Sequence, residues 1–200
     1  MTLRAGREAA FLREEVVFRR VRAALAAASR ESFRVVHFSV QRNHVHLLVE
    51  AEDGGALRSG VQGLAIRVAR AVNRALGRRG RVWSGRYHRR DLEGPREVRA
   101  ALVYVLQNGR KHGVVARAAL DPCSSASYLF LGFTPEGERR RAALAARDAS
   151  ARPERLPVRV SETWLARIGW IVRGGGPIDP REGPAPRRPT APSSGRPPTS

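Results

Sequence analysis

The chain has 200 residues, enough for one domain with tails or for two small domains. Its 37 Lys and Arg residues, nearly all of them arginine, outnumber its 18 Asp and Glu residues and give a formal net charge of +19. This charge favours a polyanionic partner. The alternative explanation of the arginine content is the base composition of a GC-rich genome. A single cysteine, Cys123, excludes a disulfide framework and a cysteine-based zinc site, and the lack of a bilayer-length apolar run or a signal peptide predicts a cytoplasmic protein.

The first quarter of the chain predicts a strand, a helix and a hairpin, in that order. Residues 1–4 are typical of the end of a strand, whose first part we expect to be truncated. Residues 9–28 have apolar positions at helical spacing. Residues 33–40 have the composition of a β-strand, residues 41–43 form a tight connection, and the return strand 44–50 completes the hairpin.

The middle of the chain predicts a helix, a strand and a second helix. Residues 56–76 form an amphipathic helix that Gly77 stops. Residues 81–90 are typical of a strand that is unusually basic and carries two aromatic residues. Residues 95–109 form the next helix, which begins at a proline and ends at a glycine. The helix 56–76 also has a basic stripe, which is either a solvated face or a phosphate-facing one: Arg67, Arg70, Arg74 and Arg78.

The last third of the chain gives a weaker pattern. Residues 135–149 are rich in Arg, Ala and Glu and predict a helix, and residues 161–170 predict a short capped helix that docks two tryptophans. From Gly174 onward Pro, Gly, Ser and Arg dominate, which predicts a segment that does not fold. We therefore expect one domain over residues 1–133, a helical extension over 134–173 and a disordered tail over 174–200.

The order strand, helix, strand, strand, helix, strand is that of a ferredoxin-like α+β unit. This order predicts an antiparallel sheet with its helices on one face and the strand 44–50 near its centre. The polar side of that strand would then face a ligand or another helix.

The central strand carries two histidines one residue apart, His44 and His46. Because side chains alternate along a strand, both imidazoles point to the same face, and Val45 and Leu47 point to the other face and into a core. Two imidazoles on one face form half of a metal site. The alternative interpretation is a pair of solvent-facing histidines.

The helix 95–109 carries a tyrosine away from its apolar stripe. At 100° per residue, Tyr104 lies about 130° from the centre of the stripe, and Asn108 follows it at i+4 on the same side. The other interpretation of Tyr104 is a residue at the rim of an amphipathic helix. The helix thus offers a phenol, two amides and an ammonium group to one region, on Tyr104, Gln107, Asn108 and Lys111.

These motifs resemble those of a known family. His44-Val45-His46, followed by Leu47-Leu48-Val49-Glu50, resembles the His-hydrophobic-His (HUH) motif of single-tyrosine transposases, and Tyr104 to Asn108 is similar to their tyrosine helix. Residues 82–88 are similar to the segment before that helix, and residues 121–128 to the Ser-Ser-Tyr segment after it. The resemblance covers about residues 1–133 and is to the IS200-like group, especially its REP-associated branch. Many relatives have Asn-Pro where this chain has Asn108-Gly109.

The resemblance implies a DNA transposase that nicks and rejoins single-stranded or hairpin DNA through a 5′-phosphotyrosine, as a monomer or a homodimer. It implies Tyr104 as the nucleophile and a divalent ion, Mg²⁺ or Mn²⁺, bound by His44, His46 and Asn108, with Gln107 as the second choice for the third ligand. Trp83 or Tyr87 would stack on a base. Basic side chains would hold the DNA backbone, namely Arg42, Arg86, Arg89, Arg90 and Lys111.

Two other functions compete with this one. A domesticated relative could bind a DNA hairpin or repeat without cutting it, although the presence of His44, His46, Tyr104 and Asn108 together favours the enzyme. A basic RNA-binding ferredoxin-like domain would carry aromatic residues at the centre of its exposed strands. This chain has histidines there instead, which makes the RNA-binding function the least favoured.

Overall fold

A computed structural model of the protein describes residues 1–111, 113–116, 119–128, 132–147 and 155–183. Its strands and helices are, in chain order, β1 (Thr2–Arg4), α1 (Glu15–Ala26), β2 (Phe33–Val40), β3 (His44–Ala51), α2 (Gly54–Ala75), α3 (Pro95–Leu106), α4 (Asn108–Lys111), α5 (Pro135–Arg147) and α6 (Trp170–Val172). The helix predicted at 135–149 is confirmed up to Arg147, and its last two residues lie outside the described ranges.

The three strands form an antiparallel sheet in the order β1-β3-β2. The histidine strand β3 is therefore central, as predicted, and the α+β class is confirmed. His46 pairs with Thr2 of β1 on one side and with Ser39 of β2 on the other. This register brings one polar side chain from each outer strand to the same face as the histidines.

Residues 81–90 do not form the regular strand that their composition predicts. Two isolated bridges join this segment to the edge of β1, one between Ala5 and Trp83 and one between Thr2 and His88. Three steps from Thr2 to Ala5 thus correspond to five steps along the segment, so two extra residues loop out of the pairing. The segment still covers the edge of β1, because Thr2 and His88 exchange backbone hydrogen bonds of 2.8 and 3.0 Å.

Helices cover both faces of the sheet, so the prediction of helices on one face is wrong. The first core lies between the sheet and helices α1 and α2 and includes Val45 and Leu47. The second core lies under α3 and includes Leu102 and Trp170, with Leu48 packed against it. Because β3 presents apolar side chains on both faces, the sheet needs an apolar cover on each side.

The helix α1 begins at Glu15, six residues later than the spacing of apolar residues predicts. The residues before it run along the hairpin connection instead, where the Leu12 amide donates a 3.0 Å hydrogen bond to the Arg42 carbonyl. The Arg13 guanidinium donates to both carboxylate oxygens of Asp121, at 2.8 and 2.9 Å. These partners are distant in sequence, and helical periodicity carries no information about them.

The helix α3 ends at Leu106 and not at Gly109. Gln107 leaves helical geometry, with φ of −114° and ψ of 12°, and the chain resumes as the single turn α4. Gly109 lies inside this turn, where a Cβ atom would come within 2.8 Å of both Val115 Cγ2 and Asp121 Cγ. The glycine is therefore required by the close approach of Asp121 and does not terminate the helix.

Residues 174–183, which composition assigns to the tail, lie against α3 and α4. Ile178 is completely buried in the second core, and Arg99 forms a 2.7 Å ion pair with Glu182. The rest of the predicted tail, residues 184–200, lies outside the described ranges.

The helix predicted at 161–170 is shorter and begins later than expected: a π-helical turn at Leu165–Gly169 continues into α6. Of the two tryptophans that were expected to dock, Trp170 is buried and Trp164 is exposed. Within the described ranges, no helix is long and apolar enough to span a membrane.

Candidate active site

The site is built on the polar face of β3, where His44 and His46 lie side by side. Both imidazoles are buried, and their ring centroids are 4.6 Å apart in a T-shaped arrangement. Each ring also has a hydrogen-bonding group on its Nδ1 side. Thr2 Oγ1 lies 2.8 Å from His46 Nδ1, and Asn43 Oδ1 lies 2.8 Å from His44 Nδ1.

Tyr104 on α3 faces His46. The two ring centroids are 4.9 Å apart, and the phenolic oxygen lies 3.5 Å from His46 Nε2. The Lys111 ammonium lies 5.4 Å from the centroid of the Tyr104 ring, so a positive charge stands over the tyrosine. Tyr104 is half-buried. The structure thus brings together the tyrosine and the histidine pair, which are 58 residues apart in sequence.

The junction between α3 and α4 holds two buried amides. Asn108 is completely buried, and neither atom of its amide has a hydrogen-bond partner among the described residues. Gln107 is also buried, and its Nε2 donates a 2.8 Å hydrogen bond to the Asp179 carbonyl, which leaves Oε1 without a partner there. Buried amides normally have their hydrogen bonds satisfied, so these two oxygens would gain from a ligand.

The arrangement restricts what could bind a metal ion. Among the described residues, no group of three or more His, Cys, Asp or Glu side chains is close enough to hold one. An ion bound by the two imidazoles would therefore draw its further ligands from amide oxygens, water or a substrate phosphate. The unpartnered amide oxygens of Gln107 and Asn108 fit that requirement.

A cleft of about 670 Å³ opens beside His44. It is bordered by the hairpin connection, by the turn after α4 and by Arg7. Gln41 lies in its wall, 1% exposed, with its Nε2 donating to Ser39 Oγ at 2.8 Å and its Oε1 unpartnered among the described residues. Arg42, a predicted DNA contact, lies exposed on the rim of this cleft.

The other predicted DNA-binding residues fall into two groups. The α2 stripe of Arg67, Arg70 and Arg74 is exposed, but α2 covers the face of the sheet opposite to the histidines. The structure therefore does not bring this stripe to the site. The remaining basic residues lie on or after the segment 81–90 and on α4, and all are exposed: Arg86, Arg89, Arg90 and Lys111.

Two of these arginines are paired with carboxylates. Arg89 donates to both oxygens of Asp91, at 2.8 and 2.6 Å, and Arg90 donates to Glu97 at 2.6 Å. The hydrogen bond from Arg89 lowers the pKa of Asp91. A phosphate contact by either arginine would replace an exposed ion pair, which has a small net energy in water.

The two predicted stacking residues are partly buried against the first core. The Trp83 indole N–H donates a 2.9 Å hydrogen bond to the Ala65 carbonyl of α2, which anchors that ring to the helix. Tyr87 lies in the looped part of the segment. That Trp83 or Tyr87 stacks on a base stays a prediction.

Three residues beside the histidines have no motif of their own in the sequence, namely Thr2, Gln41 and Asn43. Asn43 could be noted because it directly precedes His44, and Gln41 because the short hairpin connection places it opposite His44. Thr2 has no sequence signal, because its contact with His46 depends on the pairing of β1 with β3.

The fold and the site together define a class: an α+β protein whose central antiparallel strand presents paired histidines to a helical tyrosine. The family model described as "Transposase IS200 like" matches residues 3–108, just over half of the chain, including both histidines, Tyr104 and Asn108. The chain therefore belongs to the IS200-like transposase family, which makes it a transposase with DNA as its partner. Comparisons with curated proteins and with solved structures found no match.

Proposed function

We propose that this transposase is a metal-dependent enzyme that nicks and rejoins single-stranded DNA, with Tyr104 as the nucleophile. The observation that supports this proposal most directly is the position of the Tyr104 hydroxyl, 3.5 Å from Nε2 of His46, whose ring lies beside that of His44. A tyrosine next to a paired-histidine site is suited to attack on a phosphate held by a cation.

In the proposed reaction the Tyr104 oxygen attacks a backbone phosphorus atom. A bond forms between this oxygen and phosphorus while the bond from phosphorus to the 3′ oxygen breaks. The phenolic proton leaves to water, which reaches the half-buried ring, and the departing 3′ oxygen takes a proton from water. The 5′ phosphate stays on Tyr104, so attack by a 3′-hydroxyl can restore the DNA without ATP.

His44 and His46 would hold a divalent ion, Mg²⁺ or Mn²⁺, with the amide oxygen of Asn108 as third ligand and Gln107 as second choice. When bound, the ion supplies Lewis-acid polarisation of the phosphate. The chain's own part is to fix the imidazoles on a central strand and to provide amide oxygens that have no partner among the described residues. On ligand type alone, two imidazoles favour a transition metal over Mg²⁺.

Exposed basic residues around the site would bind the DNA backbone. Lys111 stands over the tyrosine ring and Arg42 lies on the adjoining cleft, so these two are candidates for contacts with the flanking phosphates. Arg86, Arg89 and Arg90 would contact the strand along the edge of β1, and Trp83 or Tyr87 would stack on a base. The α2 stripe, on the other side of the sheet, would contact a more distant part of the same DNA.

The test is covalent capture of hairpin DNA on a denaturing gel with Mn²⁺, comparing the natural protein with Tyr104→Phe. A label at the 3′ end of the DNA should stay with the protein and a label at the 5′ end should be released, since the 5′ phosphate is retained. The adduct should vanish in Tyr104→Phe and after chelation of the metal. Asn108→Ala should weaken it more than Gln107→Ala, and the reverse order would make Gln107 the third ligand.

Two results would contradict the proposal. An adduct that survives Tyr104→Phe would move the nucleophile elsewhere, with Tyr87→Phe the next variant to examine. Tight binding of hairpin DNA without any adduct would instead favour the non-cleaving DNA-binding function.

A further inference from the structure

Each histidine of the pair has a hydrogen-bonding partner on its Nδ1 side, and these partners are not part of the proposed catalytic set. We propose that Thr2 and Asn43 are positioning residues that accept the Nδ1 protons of His46 and His44 and thereby keep the lone pair of both imidazoles on Nε2. The tautomer assigned to His46 and the identity of the bound ion rest on the proposed function, whereas the tautomer assigned to His44 follows from its contact with Asn43. Thr2 also lies outside the residues of the family match, 3–108.

The Asn43 contact determines the tautomer of His44. The atom 2.8 Å from His44 Nδ1 is the amide oxygen of Asn43. An amide oxygen can only accept a hydrogen bond, so the proton must be on Nδ1. The neutral ring then carries its lone pair on Nε2, the form that a metal ligand requires.

The Thr2 contact alone leaves two possibilities, because a hydroxyl can donate or accept. The Tyr104 hydroxyl, 3.5 Å from Nε2 on the other side of the His46 ring, can likewise donate or accept and is compatible with both. The tautomer proposed here is the one in which Nε2 keeps the lone pair that a metal ligand needs. With the lone pair on Nε2, the proton is on Nδ1 and Thr2 Oγ1, at 2.8 Å, is the acceptor.

The Thr2 hydroxyl is held in place by the edge of the sheet. Thr2 pairs with His46 in the ladder between β1 and β3. On its other side, Thr2 and His88 exchange two backbone hydrogen bonds of 2.8 and 3.0 Å. A strand of three residues and the looped segment beside it therefore fix a hydroxyl against the buried imidazole of the central strand. Outer-shell partners of this kind orient the ring and set its tautomer.

The first measurement is the tautomer of each histidine by long-range ¹⁵N–¹H correlation spectra of the full chain, without metal or DNA. The spectra are recorded at about pH 8, above the ordinary pKa of histidine. We expect protonated Nδ1 and unprotonated Nε2 for both His44 and His46. A proton on Nε2 of either ring would overturn the proposal for that residue.

The second measurement uses paired variants. Thr2→Val removes the hydroxyl and keeps the β-branched shape, and it should shift His46 alone toward the Nε2–H form and weaken Mn²⁺ binding by about tenfold. Asn43→Ala should do the same for His44 alone. Thr2→Ser and Asn43→Asp, which restore an acceptor oxygen, should recover both readouts. Unchanged tautomers and Mn²⁺ affinity in Thr2→Val and Asn43→Ala would show that the two contacts have no positioning role.

A matched control tests whether the loss of any threonine hydroxyl would have the same effect as Thr2→Val. Thr163 donates to Glu50 at 2.6 Å on the exposed surface, and Thr163→Val should change neither tautomer nor affinity. If a variant does not fold, the tautomers of the natural protein still decide the proposal. None of these readouts involves DNA, so a protein with the expected tautomers and Mn²⁺ binding but no DNA adduct would refute the proposed function and leave this inference standing.

Discussion

Histidines on neighbouring strands of this sheet have different surroundings and therefore different chemistry. His46 faces a half-buried tyrosine, whereas His37 on β2 is buried with its Nδ1 3.0 Å from Ser125 Oγ. Burial lowers the pKa of His37 to about 3. This ring therefore stays neutral near physiological pH and belongs to the packed interior, where it cannot supply a positive charge to DNA.

The depressed pKa of His37 predicts a loss of stability in mild acid. In the unfolded chain the pKa of histidine is about 6.5, so between that value and the folded value the unfolded state binds more protons, and stability falls as the pH falls through this window. From about pH 7 to about pH 5, His37 alone should lower the free energy of unfolding by about 2 kcal/mol. Urea unfolding at both pH values should show a smaller loss in His37→Asn, and equal losses would contradict the assignment.

At the scale of a single helix, two of the four glycines of α2, Gly60 and Gly63, have opposite roles. A Cβ atom at Gly60 would overlap the ring of Phe33, whereas one at Gly63 would have nothing within 4 Å. The close approach of α2 to Phe33 of β2 therefore requires a glycine at position 60 but not at position 63. Gly63 only adds backbone freedom to the unfolded chain.

This difference predicts opposite effects of the same substitution. Gly60→Ala should lower the free energy of unfolding by about 1–3 kcal/mol, because Phe33 and the helix must move apart. Gly63→Ala should raise it by about 0.5–1 kcal/mol, because it improves helix propensity without a clash. Chemical denaturation of the two variants is the measurement, and a stabilised Gly60→Ala would mean that α2 does not pack on Phe33 this closely.

Local patterns predicted those elements whose causes are local. The alternation of His44, Val45 and His46 gives the two faces of β3 because it depends only on neighbouring residues. The end of α3 could not be predicted in this way, because the approach of Asp121 shapes the turn around Gly109. The composition of residues 81–90 predicts a regular strand because composition does not reveal the residues that loop out of its pairing.

At the scale of the whole molecule, the candidate site draws on segments that sequence order alone does not bring together. The element order predicted a central histidine strand, and the resemblance to the transposase family supplied Tyr104 as its partner. The Thr2 contact arises only through strand pairing. The buried amide of Gln107 is held by the carbonyl of Asp179, in a segment whose Pro- and Gly-rich composition predicts no fold. A single apolar residue in a polar run, Ile178, gives no periodic signal and yet is completely buried.

The burial of Ile178 predicts that the segment 174–183 contributes to the stability of the domain. Ile178→Ala should lower the free energy of unfolding by about 3 kcal/mol, through lost apolar burial and a cavity in the second core beneath α3. Ile168→Ala is the matched control, since Ile168 is 45% exposed and its truncation should cost less than about 1 kcal/mol. Urea unfolding followed by tryptophan fluorescence reports on this region, because Trp170 lies in the same core. Equal effects of the two variants would mean that the segment is not part of the folded core, and that Gln107 must be held by other contacts.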